Sequence, residues 1–213
     1  DFTIGANVRL YRPSSDGTIF SDSAGIQIKN SEWGAYTGAE KKVGNFKFSG
    51  TIRVDKNQNF DLLPTPAASV VWTPRKNNFF RFSFSSAIRN PTLTDQYLNL
   101  RVGPATLLGN LNGFKGLIPL DQLRAYLEDS TQPLDSFDIA PIRPEKVKTF
   151  ELGYRTTIFR QLYMDAGYYY NIYRDFIGYN IGVTLPFQQV EIFPGTFVNY
   201  PLYQQIKVYR VAS

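Results

Sequence analysis

The sequence predicts an all-β fold, a fragment of a large antiparallel transmembrane β-barrel, from three observations. Several stretches alternate between apolar and polar side chains, as a strand does when its two faces meet different surroundings. Tight turns alternate with long loops along the chain, which is typical of outer-membrane barrels. No apolar run reaches the roughly eighteen residues that a transmembrane helix needs, whereas barrel strands are short and only half apolar.

The clearest alternation is in the segment Phe79 to Arg89 and in its partner, residues 149–158. The apolar sides of these two predicted strands carry Phe80, Phe82, Phe84, Ile88, Phe150, Leu152, Tyr154 and Ile158. The polar sides carry Arg81, Ser83, Ser85, Arg89, Thr149, Glu151, Arg155 and Thr157. A soluble sandwich would bury the apolar side, and a barrel would turn it to lipid, so alternation alone leaves both architectures open.

Five further strands are predicted, at 2–11, 33–41, 46–55, 65–73 and 162–172. The strand at 46–55 is regular and puts Arg53 on its polar side. The prolines at 64 and 66 lie at the start of a strand, where a hydrogen-bonded ladder tolerates them. Tight turns are expected at Lys42 to Asn45, Pro74 to Asn78 and Phe159 to Gln161.

Two long loops are predicted, at 90–144 and 179–206. The first lacks alternation and contains one short helix, Leu120 to Asp129, with Asp121 as its N-cap. The second is rich in proline and aromatic residues, and residues 205–211 begin a further strand. Counting strands puts the short turns at one end and the long loops at the other, which favours a barrel over a sandwich.

The composition excludes several classes of function. The net charge is only +5 without a run of five basic residues, so we expect no nucleic-acid partner. The chain has no cysteine and no histidine, which removes thiolate chemistry, the commonest general base and the commonest metal ligands. We therefore predict no enzyme, no catalytic residue, no metal and no cofactor. Asp1 is not an initiator methionine, so we expect a piece of a longer precursor.

Two segments carry a resemblance to a known family. The segment 87–97, AIRNPTLTDQY, precedes the first long loop, and the segment 143–154, RPEKVKTFELGY, follows it. Together they resemble the paired signature of TonB-dependent outer-membrane receptors, in which one strand leaves for an extracellular loop and the next returns. The segment 168–177, YYYNIYRDFI, is similar to the next outgoing strand of that family, and the resemblance covers nearly the whole chain.

The resemblance implies a twenty-two-stranded receptor in the outer membrane of a Gram-negative bacterium. It would import a nutrient such as an iron chelate, cobalamin, a glycan or a peptide. Residues 1–213 would then be part of its barrel, about seven strands, with periplasmic short turns and extracellular long loops. The sequence contains no plug domain. The implied partners are the membrane lipid, the receptor's own plug, the TonB energising complex acting through the missing N-terminal part, and a surface lipoprotein lid.

The same resemblance suggests two groups of functional residues. Arg53, Arg81, Glu151 and Arg155 would face the lumen and contact the plug. Arg89, Asp95 and Tyr97 lie where a strand leaves the bilayer and would bind substrate at the extracellular mouth, or would serve only as loop scaffolding. Two other functions stay open at this point, a soluble all-β carbohydrate-binding module and a passive porin.

Overall fold

The computed structural model describes residues 1–159 and 161–213 and divides the chain into two compact units. The first unit comprises residues 1–12, 29–90 and 143–176, and the second comprises residues 13–28, 91–142 and 177–213. Neither α-helix of the described chain is long and apolar enough to cross a membrane.

The elements, in chain order, are as follows. The strands are β1 (Phe2–Tyr11), β2 (Asn30–Val43), β3 (Phe46–Asn57), β4 (Leu63–Arg75), β5 (Asn78–Arg89), β6 (Asn99–Val102), β7 (Ala105–Leu108), β8 (Phe114–Leu117), β9 (Phe137–Ile139), β10 (Glu145–Ile158), β11 (Leu162–Arg174), β12 (Tyr179–Thr184), β13 (Phe187–Phe193), β14 (Thr196–Pro201) and β15 (Lys207–Ala212). The α-helices are α1 (Leu93–Tyr97) and α2 (Leu120–Glu128), and short 3₁₀ turns occur at Ser23–Gly25 and Tyr203–Gln205.

The first unit is one antiparallel sheet in the order β1-β2-β3-β4-β5-β10-β11. These are the seven strands that the sequence predicts. Most are longer than expected: β2 and β10 each run for 14 residues, since pairing with neighbours extends them past the region of clear alternation. The prolines Pro64 and Pro66 lie in the part of β4 that pairs with β3 alone, where a missing N–H leaves no ladder incomplete.

The sheet has one layer and two chemically different faces. Phe46, Phe48 and Phe80 of the apolar face are 42–44% exposed, and Phe82 is 50% exposed. Every buried apolar side chain among the described residues belongs to the second unit. The sandwich alternative required these phenyl rings to be covered by protein, so it is wrong, and the apolar face needs lipid to leave water.

Aromatic rings form a continuous row on this apolar face near the turn end of the sheet. Phe46 stacks on Trp72 with ring centroids 6.1 Å apart, Trp72 meets Phe80 at 5.4 Å, and Phe80 stacks on Tyr154 at 4.5 Å. The register explains the row, because these residues are direct cross-strand partners on β3, β4, β5 and β10. Such rows are the girdles that outer-membrane barrels carry at their interfaces.

The two ends of the sheet differ in the length of their connections. At one end the strands join through two-residue turns, Gly44–Asn45 and Lys76–Asn77. Both Gly44 (φ 57°) and Asn77 (φ 71°) are left-handed, as tight hairpins require. The third predicted turn includes Arg160, which lies outside the described residues. At the other end β1 to β2, β3 to β4, and β5 to β10 are joined by longer segments, as the sequence predicts.

The second unit contains far more regular structure than the sequence predicts for its segments. Its main sheet has the order β12-β15-β7-β6, in which β15 and β7 pair in parallel, and two smaller antiparallel sheets of two strands each, β8-β9 and β13-β14, accompany it. Helix α2 confirms the predicted helix, but Pro119 occupies the N-cap and Asp121 lies in the first turn. The strand expected near 205–211 is present as β15, and it belongs to this sheet.

Two small hydrophobic clusters hold the second unit together. The first consists of Ile118, Leu123, Val183 and Leu185, and the second consists of Leu117, Ile139 and Val211. Both clusters join residues from 114–142 to residues from 181–212, which are distant in sequence. The segments predicted as separate loops therefore share a core.

A buried carboxylate organises the segment 13–28 of this unit. Asp22 accepts hydrogen bonds from the Ser15 hydroxyl (2.7 Å), the Ser15 amide (2.5 Å) and the Gly17 amide (2.8 Å). These donors stabilise the charged form, chiefly the Ser15 hydroxyl, and lower the pKa of Asp22 from 3.8 to about 2. The hydroxyl of Ser15 in turn accepts bonds from the amides of Ile19 and Phe20, so one network fixes the turn.

Candidate functional site on the polar face of the sheet

The polar face of the seven-stranded sheet carries all four residues that the sequence suggests for the lumen. Arg53 lies on β3, Arg81 on β5, and Glu151 and Arg155 on β10. The register puts Arg81, Glu151 and Arg155 on one face of the sheet. Glu151 pairs with Ser83 and Arg155 pairs with Phe79, and each of these two partners is two residues from Arg81 along β5. The three arginines differ in their contacts: Arg53 is held by several hydrogen bonds, whereas Arg81 and Arg155 are more accessible.

Arg53 is held in a network across β1 and β3. Its Nε donates to both carboxylate oxygens of Asp55, at 2.9 and 2.7 Å, and its Nη2 donates to Asn7 Oδ1 at 2.7 Å. Gly34 of the intervening β2 leaves room for this network, because a Cβ there would collide with the Arg53 guanidinium and the Asp55 carboxylate. Arg53 is therefore a structural brace of the wall, with most of its donors already used.

Arg81 pairs with Glu151 on the neighbouring strand, and the other Glu151 oxygen accepts the Ser83 hydroxyl at 3.3 Å. The side chains are 53% and 34% exposed, so the pair lies in a wet environment. Pairs of this kind contribute only about 0–1 kcal/mol. Arg81 can therefore exchange Glu151 for another anionic partner at little cost.

Arg155 lies near Arg81 in a shallow cleft of about 140 Å³. Its guanidinium sits 4.8 Å from the centroid of the Phe79 ring, and Asp165 is its cross-strand partner on β11. Gly153 forms the floor of the cleft, and its missing side chain leaves room for Arg81, whose Nε and Nη2 would lie 3.6 and 3.7 Å from a Cβ at this position. Arg81 and Arg155 therefore offer donors to a carboxylate or to a peptide carbonyl of an inserted segment.

A further polar cluster on this face was not identified from the sequence. Glu32 of β2 accepts hydrogen bonds from Asn57 Nδ2 at 2.8 Å and from Asn90 Nδ2 at 3.3 Å. Asn57 is 1% exposed, and its Oδ1 accepts the amide of Asn59 at 2.8 Å. Parity alone puts Glu32 on the polar side, but its partnership with Asn57 depends on register, which alternation does not reveal.

The three residues suggested for the mouth are divided between the units. Arg89 ends β5 in the first unit and pairs with its cross-strand partner Glu145, Nε to Oε2 at 2.5 Å. In the second unit Asp95 closes a capping box on α1, accepting from the Thr92 amide at 2.9 Å and the Thr92 hydroxyl at 2.8 Å. Tyr97 ends the same helix, and its carbonyl accepts the Ser21 amide at 3.0 Å. A role of these residues in substrate binding stays a prediction.

The position of α1 depends on Gly109. A Cβ at this position would lie 2.5 Å from the backbone of Gln96 and Tyr97, which has no room to move aside. We expect Gly109→Ala to lower the free energy of local opening of α1 by about 1–3 kcal/mol. Hydrogen exchange of the amides at residues 95–98 measures this directly. Gly178→Ala is the matched control, because no atom lies within 4 Å of its Cβ, and equal exchange in both variants would contradict the expectation.

Comparisons with known proteins agree with this geometry. The model of a family described as TonB dependent receptor-like, beta-barrel, matches residues 1–208. The crystal structure of the siderophore receptor PirA from Pseudomonas aeruginosa is similar, with a TM-score of 0.52 and 14% sequence identity. The similarity covers 99% of this chain but 34% of that receptor, so the chain spans about a third of its length. No curated protein sequence matches the chain.

Proposed function

Since the chain belongs to the TonB-dependent receptor-like β-barrel family, we propose that it forms one part of the wall of an active-transport receptor for nutrients. The protein lies in the outer membrane of a Gram-negative bacterium. The observation that carries the proposal is the single-layer sheet, with phenyl rings on one face and ion pairs on the other. A passive pore needs the same wall, so the distinction lies in what occupies the lumen.

The polar face supports a resident partner in the lumen. Arg81 and Arg155 flank a cleft with a glycine floor, and the Arg81–Glu151 pair is exposed enough to change partners. A plug domain, which lies outside this chain, would occupy such a site through its carboxylates and backbone carbonyls. Weak, wet contacts suit a plug that must move when the TonB complex pulls on it, because each contact costs little to break.

The second unit supports a role in ligand capture. Its segments would be extracellular, because long loops of outer-membrane barrels face outward and short turns face the periplasm. The shared hydrophobic core makes these segments an ordered surface, with Asp95 and Tyr97 held on α1. A surface lipoprotein lid over them stays a prediction.

The cargo classes to test are iron chelates, cobalamin, glycans and peptides. Ferric chelates come first, because the structurally similar PirA is a siderophore receptor. At 14% identity this similarity concerns the fold alone, so it sets only the order of the test.

The decisive experiment measures uptake by cells that produce the full-length receptor. Radiolabelled ferric chelates and cobalamin would be supplied with and without a protonophore, and in a strain that lacks the energising complex. We expect at least one cargo to accumulate above its external concentration only in energised cells that have the receptor. Uptake that equilibrates and is unaffected by both treatments would identify a passive pore and refute the proposal.

A further inference from the structure

A groove of about 530 Å³ crosses the apolar face of β4, β5, β10 and β11. One wall is the aromatic row Trp72, Phe80 and Tyr154, and the other is the adjacent row Phe82, Leu152 and Tyr168. Each row consists of direct cross-strand partners, so the groove follows the hydrogen-bonding direction of the sheet. With strands about 4.8 Å apart, four strands give it a length of about 14 Å.

The groove exists because one position in the aromatic row is small. Ala166 is the β11 partner of Tyr154, where the other three strands carry large rings. Tyr168, two residues further along β11, continues the second row and lines the groove beside Ala166. The lining is almost wholly apolar, and it lies on the face that lipid covers. Its shape suits a flexible hydrocarbon chain laid between two rows of side chains.

The nearest turn supplies positive charge. Arg75 ends β4, and Lys76 follows it in the two-residue turn to β5. Both side chains are exposed, and the turn contains no acidic residue. Arg75 follows Trp72 by three residues, which is about 10 Å along a strand. Lys41 extends the positive charge to the preceding hairpin, because it is exposed and pairs with Phe48 on the apolar face. This end of the sheet has the short turns, which are periplasmic in outer-membrane barrels.

We propose that the groove binds an acyl chain of an anionic phospholipid of the periplasmic leaflet, with the lipid phosphate against Arg75 and Lys76. Bulk lipid is as apolar as the groove, so the hydrocarbon alone gives no preference for one lipid. Preference arises from the fit between the two rows and from the cations, which attract anionic headgroups. The inference depends on the position of the wall in the membrane and is independent of transport.

The test is native mass spectrometry of the full-length receptor, delipidated in detergent and then mixed with either phosphatidylglycerol or phosphatidylethanolamine. The wild type should retain phosphatidylglycerol preferentially. Replacing Arg75 and Lys76 by glutamine should weaken this retention roughly 10- to 30-fold, since each cation near an anionic lipid contributes about threefold to fivefold. Replacing Lys146 and Lys148 of β10 by glutamine removes two exposed cations at the opposite end of the sheet and should have no effect.

A second variant tests the groove itself. Ala166→Phe completes the aromatic row and should abolish preferential retention, whereas Ala68→Phe adds the same ring to the same face outside the groove. Heat-modifiable migration on a gel shows that each variant has folded. Equal retention of both lipids by the wild type would overturn the proposal. Loss of retention in Ala68→Phe to the same extent as in Ala166→Phe would also overturn it.

Discussion

Phe82→Lys should lower the free energy of unfolding of the receptor by about 2–4 kcal/mol in lipid vesicles. Phe82 lies inside β5, four residues from the turn end and seven from Arg89, on the apolar face of the sheet. A lysine there must leave its ammonium in hydrocarbon or bend to the interface, and both are costly. Guanidinium titration in vesicles, followed by tryptophan fluorescence, measures the change.

The matched control is Ser85→Lys on the same strand. Ser85 is seven residues from the turn end and four from Arg89, so its depth is comparable, but it lies on the polar face. We expect a change below about 1 kcal/mol there, because the lumen is wet. Phe82→Leu keeps an apolar side chain and should also be mild. If Ser85→Lys were the more damaging variant, the two faces would have been assigned in reverse.

Leu117→Ala should destabilise the second unit by about 2–5 kcal/mol while leaving the barrel intact. Leu117 is fully buried at the end of β8 and packs in the cluster with Ile139 and Val211. Truncating it leaves a cavity between segments that are far apart in sequence, so we expect 114–142 and 207–212 to lose protection together. Hydrogen exchange of the β9 and β15 amides measures the loss.

The control for this variant is Leu127→Ala on α2. Leu127 is 53% exposed, so the same truncation removes little buried surface and should cost well under 1 kcal/mol. Independent loops would give a different pattern. In that case Leu117→Ala would raise exchange only in β8 and β9, and β15 would keep its protection.

Phe82→Lys and Leu117→Ala test a physical difference between the two units. The first unit lacks a buried apolar core in its described residues, and its apolar side chains lie on one exposed face. Its stability therefore depends on the membrane as solvent and on the ladder of backbone hydrogen bonds between its strands. The second unit is stabilised as a small water-soluble domain is, by apolar side chains packed on one another.

Local periodicity was enough to predict the first unit. Alternation in segments such as Phe79 to Arg89 gave the strand and its two faces, because side-chain direction in a strand depends only on residue number. The predicted lumen positions of Arg53 and Arg81 follow from the same parity. Turn residues such as Gly44 and Asn77 marked the tight connections, since few other residue types adopt a left-handed backbone.

The second unit could not be predicted in this way. Its strands β6, β7 and β8 are four residues long, which is too short for a clear period of two. The parallel pairing of β7 with β15 joins residues about a hundred positions apart, and its core is formed from the same distant segments. Sequence patterns report the environment of single segments, so the segments appeared as irregular loops.

The sequence by itself determined which residues form the membrane wall and which of its faces is polar, because alternation is a local property of each strand. The tertiary structure decided the partners: Arg53 with Asp55 and Asn7, Arg81 with Glu151, and Glu32 with Asn57. It also decided that the long segments share a hydrophobic core and that a groove opens beside Ala166. Register and long-range packing set these features, and both depend on the energy of the whole fold.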